Sequence, residues 1–160
     1  MAADMFLVLE GIKGESEDKA YKDQIDILAW SWGLSQTGTL HQGKGGGAGK
    51  ANFQDISITK YVDNSTATLM NKIATGEHIA TAKLVVRKAG GNPLEYFVIE
   101  LKEVMVTSYS TGGSGGEDRL TENVTLNFAK IKSTYKTQKD DGTGGAAVEF
   151  KWDVPGNVPA

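Results

Sequence analysis

Apolar residues along this chain recur mostly at every second position, and that alternation predicts strands. Residues 5–9 form a short apolar run of strand type. Ile56 and Ile58 share one face of a strand over residues 53–61, and Ala80, Ala82, Leu84 and Val86 share one over residues 79–88. In residues 94–109, Phe97, Ile99 and Leu101 lie in phase. The apolar parity then moves to Val104 and Val106, as it would at a bulge or a barrel corner. In residues 119–135 the phase passes in the same way from Val124, Leu126 and Phe128 to Ile131, Ser133 and Tyr135. Val148, Phe150, Trp152 and Val154 alternate with Glu149, Lys151 and Asp153, the clearest reading of a strand with one face buried. Residues 24–34 carry two of the three tryptophans. Ile25 and Ile27 occupy one parity, and Leu28, Trp30, Trp32 and Leu34 the other, so a bulge, a bend or burial on both faces is expected.

One stretch breaks the alternation. Asn64, Ser65 and Thr66 offer N-cap side chains, Gly76 offers a C-terminal stop, and Leu69, Met70, Ile73 and Ala74 form a stripe at helical spacing. These residues predict a short helix over about residues 65–75, plugging or flanking a sheet because so short a helix is not stable alone. Glycine-rich stretches separate the strands, at 11–14, 43–49, 89–93, 111–116 and 140–145. Many strands, glycine turns and one helix suggest a barrel or sandwich, and the repeated changes of parity favour a barrel. The expected fold is mainly β, a small barrel of two antiparallel sheets with one flanking helix, formed by residues 1–160 as a single domain.

Composition narrows the chemistry more than it adds to it. The formal net charge is -3, with 17 Lys and Arg against 20 Asp and Glu. That balance argues against a general nucleic-acid binder, which needs a basic surface. Lys13, Lys19 and Lys22 alternate with Glu15, Glu17, Asp18 and Asp23 as a mixed-charge surface would. The chain has no cysteine, which excludes disulfides, thiolate metal sites and a cysteine nucleophile. The N-terminal apolar run ends at Glu10 and has no basic lead, so no signal peptide is read there, and no segment is long enough to span a membrane as a helix.

The short motifs do not carry catalysis. Gly43-Lys44-Gly45-Gly46-Gly47-Ala48-Gly49-Lys50 departs from a phosphate-binding loop, which needs glycine at 44 and Ser or Thr at 51. Gly112 to Glu117 resembles a calcium-binding turn but has glutamate in place of aspartate and does not repeat. Asp140-Asp141-Gly142 lacks calcium-ligand spacing. His41 and His78 have no partner at the spacing of a triad or a metal site. The expectation is a protein that is not an enzyme and needs no cofactor. The rival class is a binding module, a barrel enclosing an apolar ligand among Trp30, Trp32 and Trp152; the core itself also demands bulky fillers of this kind.

Gly11-Ile12-Lys13-Gly14-Glu15-Ser16 and Trp30-Ser31-Trp32-Gly33 resemble the haemolysin-coregulated protein (Hcp) family. The likeness continues through Thr59-Lys60-Tyr61-Val62-Asp63, Gly76-Glu77-His78-Ile79, Tyr96, the 100–106 run, Leu126-Asn127-Phe128-Ala129-Lys130-Ile131, Tyr135, Asp141-Gly142 and Trp152-Asp153. It covers nearly the whole chain in order; the 43–49 stretch is the least typical part. The resemblance implies a fold related to phage tail-tube proteins and a tube component of type VI secretion. Such proteins form homohexameric rings that stack into a hollow tube inside a contractile sheath, with spike and baseplate proteins as partners and effectors as cargo. It also implies synthesis in the bacterial cytoplasm and export without a signal peptide, with no membrane insertion and no nucleic-acid partner. Some family members carry a C-terminal toxin domain, and none is expected here.

Strand alternation adds site expectations. If Trp30 and Trp32 fill the barrel, Ala29, Ser31 and Gly33 face outward on a small uncharged surface, read as lining the tube and facing cargo. The glycine-rich arm carrying Gly38, His41, Lys44, Gly46 and Lys50 is read as a contact between subunits or between stacked rings.

Overall fold

The computed structural model describes residues 3–38, 40–42 and 49–160. In chain order the described elements are β1 (Ala3–Leu9), β2 (Ile25–Asp26), β3 (Ala29–Ser31), β4 (Leu34–Ser35), a 3-10 turn (Leu40–Gln42), β5 (Asn52–Phe53), β6 (Ile56–Tyr61), α1 (Thr66–Thr75), β7 (Ile79–Lys88), β8 (Leu94–Gly112), β9 (Thr121–Gln138) and β10 (Gly144–Asp153). The class is mainly β with a single α-helix among the described residues, as the alternation predicts. An eight-stranded antiparallel sheet runs β2-β1-β7-β8-β9-β6-β3, with β10 paired to β9, and β4 pairs β5 in a small separate sheet.

The tryptophan segment explains its own change of parity, because it changes partners. Ile25 and Asp26 pair with β1, the Ile27 amide donates to the Met5 carbonyl, and the Leu28 amide donates to the Thr59 carbonyl of β6. Ala29–Ser31 then pairs with β6, and Leu34–Ser35 with β5. One continuous segment thus touches both ends of the strand path, and the sheet curls round on itself. The expected single strand over 24–34 is three short ones, each switch of partner accounting for a break in phase.

The second change of parity is a crease shared by three strands. Ala80 and Thr81 of β7, and Lys102 and Glu103 of β8, are consecutive exposed residues, and on β9 the buried positions pass from Phe128 to Ile131. Register is the same on both sides of this level in both ladders. No residue is inserted; the strands bend together, and Glu103 takes a left-handed φ of 53°. A true bulge lies further on, where the β8–β9 register shifts between Val106 and Ser108. The crease divides the long strands into two half-sheets that face each other across one core. Leu7, Leu9, Ile25, Ile56, Ile58, Leu84, Ile99, Leu101, Val104, Leu126 and Ile131 fill it.

α1 follows the sequence with two corrections. Its N-terminus is capped by Asp63 rather than Ser65: Asp63 Oδ1 accepts from the Ser65 amide at 2.9 Å, and the Asp63 amide donates to Thr66 Oγ1 at 3.1 Å. The buried stripe is narrower than predicted. Leu69 is buried and Ile73 packs on the core, while Met70 is 45% exposed and Ala74 faces solvent. Gly76 ends the helix at φ 73°, as its position predicts. β10 is a further correction. Its apolar side is covered only in part: Trp152 and Val154 pack against the core, while Val148 is 66% and Phe150 36% exposed.

Residues 13–24 strap the outer face of β1 and β7. The strap is pinched at Gly14, where a Cβ would meet the Gln24 carbonyl oxygen at 2.7 Å. Tyr21 stacks on Phe6 with centroids 4.7 Å apart, and the Arg87 guanidinium lies over the Phe6 ring. Arg87 also grips Asp18 with both terminal nitrogens, at 2.5 and 3.1 Å, and reaches Asp4 at 3.2 Å. Asp18, read from sequence as part of a solvated surface, is therefore tied down. Hydrogen bonding to Arg87 holds its carboxyl below the usual range. Burial and the Glu95 carboxylate, which accepts its hydroxyl, push the Tyr21 phenol far above its ordinary value.

Candidate functional surface

The registers of β3, β6, β9 and β8 place side chains of one kind side by side. Ala29 pairs with Thr59, Thr59 with Asn123, and Asn123 with Ser110; in the next row Ser31 pairs with Ser57, Ser57 with Thr125, and Thr125 with Ser108. All eight point away from the core, because Ile58, Val124 and Leu126 take the alternate positions and are buried. The result is an outward face of small, uncharged, mostly hydroxyl-bearing residues. It is knitted laterally: Thr59 Oγ1 donates to Asn123 Oδ1 at 2.7 Å, Ser108 and Thr125 share a bond of 2.6 Å, and Asn127 Nδ2 donates to Asp55 at 2.8 Å. Hydroxyls satisfied by neighbours on the same sheet hold no charge, and the one carboxylate knitted into this face, Asp55, also accepts from Thr107 Oγ1 at 2.6 Å.

The structure brings two of the three predicted lining residues into this face. Ala29 and Ser31 are exposed on it, and Gly33 lies just beyond β3, partly covered beside the Gln54 side chain. Trp30 and Trp32 pack on the core as expected. Trp30 stacks on Phe97, while Trp32 lies against Phe53 and Phe128 and donates its indole N–H to the Gln54 carbonyl at 3.0 Å. Sequence reasoning did not reach Ser57, Thr59, Ser108, Ser110, Asn123 and Thr125. The signal was present on β6 and β9, where Ser57, Thr59, Asn123 and Thr125 alternate with buried Ile58, Val124 and Leu126, but only the register shows that the four strands bring these residues together.

The arm rises from the β4–β5 ladder. The described part is exposed at Gly38, His41 and Lys50, and Leu40 is 81% exposed. Lys44 and Gly46 lie outside the described residues. His78 sits apart from His41, in an open cleft with Phe53, Met105 and Val154.

Behind one end of the hydroxyl face is a group that sequence reasoning missed. Lys60 and Glu122 are both fully buried and form an ion pair. Lys60 Nζ also donates to Asp63 and to the Tyr61 carbonyl, each at 2.9 Å, and Thr66 Oγ1 donates to Glu122 Oε1 at 2.8 Å. Among the described residues Glu122 Oε2 has no hydrogen-bond partner. Burial, and then the Glu122 carboxylate, raise the Tyr109 phenol. The cluster ties the N-terminus of α1 to β6 and β9. Its sequence signal was Lys60 and Glu122 standing at buried parity in otherwise aliphatic series.

Two edges flank the hydroxyl face. Among the described residues β3 is paired on one side only, with β6. β7 stops pairing at Val104 of β8, whereas the β8–β9 ladder runs on to Gly112, so residues 105–112 are laddered on one side. Neither edge carries a lysine or a proline, the residues by which sheet edges are usually guarded.

A family model described as "Type VI secretion system effector, Hcp" matches residues 6–135. The chain belongs to the Hcp family. It is 57% identical to Protein hcp1 of Pseudomonas aeruginosa over 162 residues, covering all of both chains. The crystal structure of Hcp1 from Salmonella typhimurium superposes with a TM-score of 0.83 at 34% identity, covering 100% of each chain. A structure described as a type six secretion system protein reaches 0.93 at 26% identity, over 99% of this chain and all of that one. Hcp proteins are secreted tube or effector proteins of type VI secretion rather than an enzyme family. Among the described residues no helix is long and apolar enough to cross a membrane.

Proposed function

We propose that this Hcp protein closes into homohexameric rings by adding β3 of one copy beside residues 105–112 of β8 in the next. The rings stack into a hollow tube whose wall is the hydroxyl face, with Ala29, Ser31 and Gly33 toward the lumen. The observation that carries the reading is the pair of one-sided ladders, neither bearing a lysine or a proline, on either side of one face of small, mostly hydroxyl-bearing residues. A heterologous contact of this kind closes a ring when its rotation divides the circle. Four strands from each of six copies, at about 4.8 Å per strand, make a wall about 115 Å round and about 37 Å across between backbones. Such a channel admits small folded cargo, and a lining of small, mostly uncharged hydroxyl-bearing residues leaves that cargo free to slide.

The bare apolar patch of Tyr135, Val148 and Phe150 supports the same reading, because a lone copy leaves it in water. In the ring a neighbouring copy covers it. The arm and its exposed Leu40 serve the contact between stacked rings. The protein acts as a single domain without catalysis or cofactor. It is made in the bacterial cytoplasm, exported without a signal peptide, and works with sheath, spike, baseplate and effector proteins.

Size-exclusion chromatography with light scattering tests the ring. A mass six times that of the chain supports it, and a monomer at high concentration overturns it. Leu40→Ser should leave that mass unchanged while shortening the stacks seen by electron microscopy.

A further inference from the structure

The outward face of the other half-sheet holds a cleft of about 340 Å³ lined by Lys102, Lys130, Lys132 and Lys151, with Glu100 and Ala160 beside them. We propose that this cleft binds an extended acidic segment of another protein, one with carboxylates at alternate residues. Register makes the case. Lys102 lies directly opposite Lys130, and Lys132 directly opposite Lys151. Like charges opposed across a ladder destabilise it.

The second pair is compensated, because Glu149 lies 3.6 Å from both Lys132 and Lys151. The first is not: among the described residues neither Lys102 nor Lys130 has an ion-pair partner. Asp153, which faces Lys130 in the ladder, turns its carboxylate to the Gly156 amide at 3.1 Å instead. Two lysines thus stand opposite each other in the ladder with no ion pair of their own, in a chain whose net charge is negative.

Spacing selects the ligand. Lys130 and Lys132 are two residues apart on one strand, so the two cationic rows lie about 7 Å from each other. Alternate carboxylates on an extended peptide have the same repeat. A single small anion reaches only one row.

The test is fluorescence anisotropy of a labelled peptide of alternating Glu and Ser against the full-length protein at low salt, with the Gln-for-Glu peptide and inorganic phosphate alongside. Saturable binding of the acidic peptide is expected. Replacing both cations, Lys102→Gln with Lys130→Gln, should weaken it at least about tenfold, whereas Lys13→Gln on the distant strap should not. The double variant should melt no lower than the parent, since a like-charge pair has been relieved. Equal binding of the uncharged peptide, unchanged affinity in the double variant, absence of binding, or full competition by phosphate at equal concentration would each overturn the proposal. So would a tighter grip on a single-stranded DNA oligomer of equal charge. Ring mass is a separate readout: the cleft binds whether or not copies assemble, so its failure and that of the ring reading are distinguishable.

Discussion

The two outward faces of this molecule are built on the same long strands and differ in almost every chemical respect. Before the crease, β7, β8 and the distal part of β9 with β10 present rows such as Lys83, Glu100, Lys132 and Lys151. Past it, β8 and the proximal part of β9 join β6 and β3 in rows of Ser, Thr, Asn and Ala. The edges differ with the faces. β10 carries Glu149, Lys151 and Asp153, a charged edge strand, whereas β3 and residues 105–112 of β8 carry no charged side chain. The supports differ too. Ile99, Leu101 and Ile131 stand behind the charged face, and a buried ion pair stands behind one end of the hydroxyl face. On the proposed reading, one surface meets solvent and charged partners, and the other is enclosed and continues into a neighbour.

Removing the buried pair should be the most damaging way to break this contrast. Glu122→Ala strands the Lys60 ammonium in the core and is expected to cost about 3–5 kcal/mol in chemical denaturation. Replacing both partners, Lys60→Met with Glu122→Leu, should cost less than either single change. A silent Glu122→Ala would mean that the hydroxyl face needs no such support.

Next in size is the strap behind the charged half. Asp18 is held ionised by Arg87, so its folded-state pKa lies below the unfolded one. Its stabilising contribution is full above about pH 4 and drains away as pH falls further. Asp18→Asn should therefore be less stable than the parent at neutral pH, and the difference should close in acid. A constant difference across that range would assign the loss to packing alone.

Smaller effects on the fold should accompany larger ones on assembly. Val148→Ser with Phe150→Ser removes apolar groups that already face water, so the free chain should change by less than about 1 kcal/mol, while the ring loses mass on dilution. The least cost to stability is expected from Ser31→Lys with Ser57→Lys, within about 0.5 kcal/mol for an exposed position. The same change lines the channel with cations, and retention of cargo by purified rings should fall. Unchanged retention would detach the hydroxyl face from cargo.

Much of this fold is written in local patterns. β7, β10 and the bounds of α1 follow from alternation and from Gly76, and the parity changes at 102–103 and within 24–34 mark real structural events. What those events are depends on partners. Residues 24–34 break into three strands because β1, β6 and β5 take them in turn, and pairing between distant segments leaves no local signal. The helix cap moved to Asp63 because the buried Ser65 hydroxyl is itself spent on Asp63, donating to its Oδ1 at 2.5 Å. Ala29 and Ser31 were legible as outward-facing; the six hydroxyl and amide residues beside them were not, since adjacency across strands is set by register. β10 misled for the opposite reason. Its alternation is perfect, yet Val148 and Phe150 extend past the core that their pattern implies.

The most direct measurement is the distance between neighbouring copies, read by pulsed electron resonance on spin labels. The chain has no cysteine, so Ser31→Cys and Lys132→Cys each give a single site of attachment. The expected result is a ring in which the nearest-neighbour distance is shorter at residue 31 than at residue 132, because the hydroxyl face turns inward. The reverse order, or no distance between copies at either site, would contradict a tube lined by this face.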